Sequence, residues 1–201
     1  MNYQFKYQQM SQALYEALKD DPFYKAIERS MDDREHARQK MLKYFDYSIY
    51  ESQKYGEILI PEGNAYGVSV WNKPITDDVE AQRSKEKQAF LLLELGENAL
   101  VTYNKIVNFM SDKAKPIICS KAWYLSIVGI LPTHQGKGLG SHLISPVLSQ
   151  TDQLGIPTYL ETFTPRTKNF YRHLGYSEIG VFFEPTMQAE YTIMMREANT
   201  L

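Results

Sequence analysis

Apolar and polar positions along this chain change period several times, and each change marks an element. Ser11 to Leu18 and Arg34 to Tyr50 carry apolar residues at helical spacing on otherwise polar stretches, which predicts two amphipathic helices. Gly56-Glu57-Ile58-Leu59-Ile60 and Tyr66-Gly67-Val68-Ser69-Val70-Trp71 read as paired strands, with Pro61-Glu62-Gly63-Asn64 as the turn of one hairpin. Asp77 to Leu95 and Glu97 to Met110 then predict two helices separated near Gly96, and Lys113-Ala114-Lys115-Pro116 leads back towards strand. Trp123 to Ile130 is a short apolar, β-branched and aromatic run, the composition of a buried strand, and it ends at Pro132. Beyond it Leu139, Leu143, Ile144, Val147 and Leu148 return to helical spacing, with Pro146 inside as the expected site of a kink. Pro157 to Phe163 reads as a further strand. Thr164 then caps a helix, Pro165 suits its first position, Phe170 and Leu174 pair at i,i+4, and Gly175 ends it. At the ends the pattern is weaker: Tyr3 to Tyr7 makes a poor strand, and Ser177 to Phe183 and Tyr191 to Met195 read as irregular ones.

Composition narrows the class. The chain has 201 residues, enough for one ordinary domain with a sizeable core. With 22 Lys plus Arg against 24 Asp plus Glu it is slightly acidic, which gives no electrostatic reason to expect nucleic acid. Cys119 is the only cysteine, so neither an intrachain disulfide nor a cysteine-rich zinc site can form. His36, His142 and His173 show no metal-ligand spacing, and no metal is expected. Met1 to Tyr7 lacks the apolar stretch of a secretion signal and no apolar run approaches a membrane span, so a cytoplasmic protein without a membrane partner, monomer or homodimer, is the expectation.

The candidate chemistry sits between the strand at Trp123 and the helix at Leu139. Leu131-Pro132-Thr133-His134-Gln135-Gly136-Lys137-Gly138-Leu139-Gly140-Ser141 is a glycine-rich turn from strand into helix, a place where unpaired backbone N–H groups meet the positive end of a helix dipole. Such a turn binds pyrophosphate, the glycines letting the backbone come close and Lys137 adding charge. It is not a Walker loop, because Lys137 is followed by Gly138 rather than Ser or Thr. Nor is it a dinucleotide fingerprint, because Ser141 stands where the third glycine belongs.

Gln135, Gly138 and Gly140 do fit Gln-x-x-Gly-x-Gly, and this resembles the acetyl-coenzyme A signature of the GNAT superfamily of N-acetyltransferases. Asn169, Tyr171 and Gly175-Tyr176 stand where that superfamily carries similar residues in its closing helix. The stretch Ala122 to Leu125, the loop, Leu160-Glu161-Thr162, Pro165-Arg166 and Val68 to Trp71 together look like the branch of puromycin N-acetyltransferase and its relatives. The resemblance implies an α/β acyl-CoA N-acyltransferase fold, a central mixed sheet flanked by helices, in one domain over residues 1–201. A helical insertion would fall at about 77–112 and the cofactor core at about 122–176. It also implies acetyl-CoA as co-substrate, held by backbone around Val128, Gly129 and Ile130, by the turn from Gln135 through Gly136, Lys137, Gly138, Leu139 and Gly140 to Ser141, and by Asn169.

Acetyl transfer needs a neutral amine, donors for an oxyanion and a proton for the departing thiolate. By the resemblance Tyr171 is the candidate acid; a phenol pKa of about 10 against about 8.5 for a thiol means it must act as the C–S bond breaks. Glu161 is the candidate base. Strand alternation places it with Tyr159 and Phe163 and opposite Thr158, Leu160 and Thr162, and aromatic neighbours would raise its pKa towards neutrality. Phe23, Tyr24 and Trp71 are candidates for the acceptor pocket, and the tyrosine-rich stretch Tyr44 to Tyr50 is either a further lining of that pocket or, as aromatic residues at helical spacing more often are, core. With Cys119 outside both motifs, the expected activity is direct transfer in a ternary complex to a primary amine of a small molecule, such as an aminonucleoside or another toxic amine. A protein or peptide acetyltransferase and a non-catalytic acyl-CoA sensor are the alternatives.

Overall fold

The computed structural model describes residues 3–61, 63 and 65–199. Helices α1 (Gln8–Leu18), α2 (Pro22–Ser30) and α3 (Ala37–Tyr55) precede the hairpin β1 (Gly56–Leu59) and β2 (Gly67–Asn72). Helices α4 (Asp77–Leu95) and α5 (Glu97–Ala114) follow. The remainder is β3 (Trp123–Ile130), α6 (Leu139–Leu154), β4 (Thr158–Thr162), α7 (Pro165–His173), β5 (Ser177–Glu184) and β6 (Ala189–Arg196). The six strands form one mixed sheet in the order β1-β2-β3-β4-β6-β5, with helices flanking it. Only β3 and β4 run parallel, as the intervening helix α6 requires; the other neighbours are antiparallel. Within the expected hairpin turn, Glu62 and Asn64 lie outside the described residues.

Two differences from the sequence reading have local causes. Helix α2 has only nine residues and too few apolar positions to show a period, yet Asp21 accepts the Phe23 N–H at 2.9 Å and Pro22 occupies the first turn. The last two strands are eight residues each and regularly paired, with a single register shift between Glu178 and Gly180. Helix α6 runs on through Pro146, which is exposed; the carbonyl that its missing N–H leaves free belongs to the exposed His142.

A β-bulge decides which side chains meet which layer. Val70 pairs with Ile127 but Trp71 pairs with Leu125, so Ser126 is the extra residue, and its hydroxyl donates to the Val70 carbonyl at 3.0 Å. Before the bulge Trp123 and Leu125 pack towards α6; beyond it Val128 and Ile130 do, while Ile127 joins the core under α1 and α3. A Cβ on Gly129 would meet Leu14 Cδ2 at 2.8 Å, so a glycine lets α1 lie directly on the strand.

The segment before α1 is no strand; it is fastened to α3 by one buried carboxylate. Asp46 accepts the Lys6 N–H at 3.0 Å, the Tyr7 N–H, and the Tyr3 hydroxyl at 3.0 Å. Burial pushes the Asp46 carboxyl up and these donors pull it back. Asp46→Ala should therefore cost about 3 kcal/mol, because it strands two backbone donors beside a fully buried position. Urea denaturation checks this, and a loss below about 1 kcal/mol would mean that water reaches the donors.

Candidate active site

In the loop between β3 and α6, a short 3-10 turn at Pro132–His134 is followed by two glycines in the left-handed region, Gly136 at φ 76° and Gly138 at φ 74°. Around them Gln135 Nε2 donates to the Ile130 carbonyl at 3.0 Å, Lys137 Nζ to Thr133 at 3.1 Å and Ser141 Oγ to Gly138 at 2.7 Å. No side chain caps α6, so the N–H groups of its first turn, at Leu139, Gly140 and Ser141, remain available to an anion. The loop is exposed, as pyrophosphate binding requires.

Next to the loop the sheet opens. The parallel ladder between β3 and β4 holds only two pairs, Trp123 with Thr158 and Tyr124 with Tyr159, after which the strands part. The Leu131 N–H bonds the Tyr66 carbonyl at 2.8 Å, which fixes the phase of the β2–β3 ladder. Counting back by twos, Gly129 spends its backbone groups on Val68, while those of Val128 and Ile130 face the gap on the β4 side. Gly129 thus turns its backbone groups towards β2, and its missing side chain lets α1 approach. The Gln135 amide on the Ile130 carbonyl lies at that gap.

On the other side of the sheet is a cavity of about 680 Å³. Glu161 lines it and accepts the Tyr124 hydroxyl at 2.5 Å, and the Tyr124 and Tyr159 rings stack at 4.7 Å. Glu161 does share its face with Tyr159, and Leu160 points to the α6 core. Burial lifts the Glu161 carboxyl to about 7, against the Tyr124 hydrogen bond, which lowers it. Tyr171 reaches the same cavity from α7, wedged edge-on between Phe170 and Tyr176, and burial holds its phenol well above the usual value. Asp21 lines the cavity from the start of α2, its carboxyl raised by burial to about 6.

Among the acceptor candidates, Phe23 and Tyr24 line the cavity, with rings 5.1 Å apart. Trp71 does not. It is fully buried on the α6 side of the sheet, its indole N–H donating to Ser69 at 3.1 Å, because pairing with Leu125 across the bulge sets it on that face. Asn169 is exposed and accepts from Arg172 at 2.6 Å. Tyr44 and Ser48 belong to the core and also touch the cavity; Tyr124, Asp21, Glu51, Lys87 and Tyr103 were not singled out from the sequence. Tyr124 had a visible signal, a phenol on the strand beside Glu161, but its face depends on the bulge. Among the described residues no group of three or more His, Cys, Asp or Glu could hold a metal, and no helix is long and apolar enough to cross a membrane.

Residues 87–178 match the acetyltransferase (GNAT) domain model. An uncharacterised N-acetyltransferase of Schizosaccharomyces pombe is 26% identical over 96% of this chain and 81% of its own length. The solved structure of histone acetyltransferase HPA2 and related acetyltransferase from Corynebacterium glutamicum superposes with a TM-score of 0.66 at 20% identity, covering 99% of this chain and 94% of that one. Arylalkylamine N-acetyltransferase 2 from Aedes aegypti gives 0.65 at 15% identity, covering 96% and 94%. The chain shares its α/β fold with these structures, and the match of residues 87–178 to the acetyltransferase domain model together with the N-acetyltransferase relative supports an acetyl-transferring enzyme.

Two outcomes follow from the site. Gly138→Val should weaken acetyl-CoA binding at least tenfold by calorimetry without unfolding the protein, since nothing lies within 4 Å of an added Cβ but φ is 74°. Unchanged affinity would remove the loop from the cofactor site. Glu161 ionises less readily folded than unfolded, so its neutral form favours the fold below the usual carboxylate value, 4.5, and this advantage is lost as pH rises through about 7. Glu161→Gln should therefore gain in Tm relative to the parent across that window, and a difference independent of pH would contradict the burial of the carboxyl.

Proposed function

We propose that this protein transfers acetyl from acetyl-CoA to a primary amine of a small molecule, directly within a ternary complex. The observation that carries the reading is Glu161: a carboxyl poised near neutrality, under a pair of stacked tyrosines, in a cavity next to a gap in the sheet. The cavity draws walls from α2, α3 and α5 as well as β3, β4 and α7, so these parts are taken as one catalytic unit.

Each step falls to a group of this chain. Glu161 takes the proton of the arriving ammonium, directly or through water, and the surrounding aromatic rings favour the cation before it is lost. The Val128 N–H, which faces the gap, donates to the oxygen that gains charge as the amine adds. Tyr171 donates to the sulfur as the C–S bond breaks. Its raised pKa keeps the phenol protonated over the working range, and suits it to give a hydrogen bond in the transition state rather than to protonate a free thiolate afterwards. The turn from Gln135 to Ser141 holds the pyrophosphate, with Asn169 at most a secondary contact.

The cavity favours a small acceptor over a peptide, which would need an open groove. The Aedes aegypti structure is named for arylalkylamines, and the cavity's aromatic lining fits acceptors of that kind. Likeness to the puromycin N-acetyltransferase branch adds aminonucleosides. An acceptor panel containing arylalkylamines, alkylamines, puromycin and peptides, followed by free thiol release, tests this directly. Turnover of small amines is expected, with Tyr171→Phe lowering kcat about 10- to 100-fold at nearly unchanged cofactor affinity. Turnover of peptides alone would give the site to protein acetylation, and tight acetyl-CoA binding without any turnover would make it a sensor.

A further inference from the structure

The cavity wall carries a second polar cluster that the proposed acetyl transfer does not use. Glu51 on α3 and Lys87 on α4 both line it, and both are more than nine-tenths buried. Their charged atoms are 3.6 Å apart, too far for a good hydrogen bond. Glu51 Oε1 has no hydrogen-bond partner among the described residues, and the hydrogen bond recorded for Lys87 Nζ is a long one, 3.3 Å, to Ser48 Oγ. The ammonium rests between the rings of Tyr44 and Tyr47, 4.9 Å from each centroid. A buried ion pair adds little stability even when fully hydrogen-bonded, and one left with spare donors and acceptors is a cost to the fold. Its spare groups sit at a cavity wall, where a ligand can complete them.

Charge says which ligand. Lys87 offers donors and Glu51 an acceptor, and together they are neutral. Arg83 and Glu80, also on the wall, form a second pair at 3.5 Å. A second ammonium would approach Lys87 and Arg83, and a carboxylate would approach Glu51 and Glu80. A neutral group that both gives and accepts a hydrogen bond satisfies the first pair without either repulsion. Asp21 and Glu161 are the remaining carboxylates of the cavity: Asp21 acts by its charge on Tyr171 and accepts the Phe23 N–H, and Glu161 accepts the Tyr124 hydroxyl.

We propose that Glu51 and Lys87 form a tail-recognition subsite, and that the acceptor is a primary amine whose far end carries a hydroxyl or carboxamide. This rests on the small-amine reading of Glu161 and adds to it what the rest of the substrate must be.

The test uses amines of one carbon skeleton, at several chain lengths, ending in methyl, hydroxyl, carboxamide or ammonium. For the parent enzyme, kcat/KM for the hydroxyl or carboxamide member should exceed that of the methyl member by about tenfold or more, with the ammonium member lowest. In the double variant Glu51→Leu/Lys87→Met, which exchanges the buried pair for apolar groups and so should still fold, these ratios should fall to within about twofold of one. Lys87→Met alone should raise the ammonium member relative to the others, because Glu51 then stands unneutralised. Should the variants lose Tm and act on all four amines in unchanged ratio, the pair is structural and the proposal falls. Equal use of all four by the parent overturns the subsite alone; no turnover of any amine by folded, acetyl-CoA-binding enzyme overturns the small-amine reading and the subsite with it.

Discussion

Two parallel strands that pair over only two residues and then part are the constraint on which the rest of this structure depends. Hydrogen bonds hold Trp123 to Thr158 and Tyr124 to Tyr159, and beyond them the backbone of β3 faces an opening. A sheet normally closes such a gap, since unpaired strand edges invite other chains. Here the opening lies between the glycine-rich turn on one side and a tyrosine-lined cavity on the other, so under the proposed reaction the same break that weakens the sheet brings cofactor and acceptor together. The bulge at Ser126 sits at the start of the parted stretch and re-aims the side chains there, putting Val128 and Ile130 on the α6 side.

What could be read from the sequence was what is local. The alternation of Tyr159, Glu161 and Phe163 needs only strand geometry, and the helices expected over Asp77 to Leu95 and Glu97 to Met110 need only period and the break at Gly96; these elements are present, the second helix running on to Ala114. The faces of β2 were not legible. Val68, Ser69, Val70 and Trp71 alternate, but which pair meets α6 depends on a one-residue insertion in a strand more than fifty positions away, and so Trp71 was expected in the wrong layer. The short α2 escaped because nine residues cannot establish a period, although Asp21 and Pro22 marked its start.

Charged groups were hidden for a related reason. Glu51 and Lys87 look like ordinary surface residues on amphipathic helices, and only the packing of α3 against α4 buries them. Tyr124 likewise becomes a partner for Glu161 only once β3 and β4 are set side by side. Chemistry that depends on a motif was visible in this chain, whereas chemistry that depends on two distant elements meeting was not.

The contact between Gly140 and Phe170 joins functions that the sequence keeps thirty residues apart. A Cβ at position 140 would stand 3.0 Å from Phe170 Cζ, so the first turn of α6 and the helix α7 are spaced by the width of a missing methyl group. Phe170 is the immediate neighbour of Tyr171. Under the proposed reaction the turn therefore acts as a depth gauge for the phenol: whatever moves the start of α6 moves the reach of Tyr171 as well, so a grip on the cofactor's far end and an aim at its thioester could not be tuned separately.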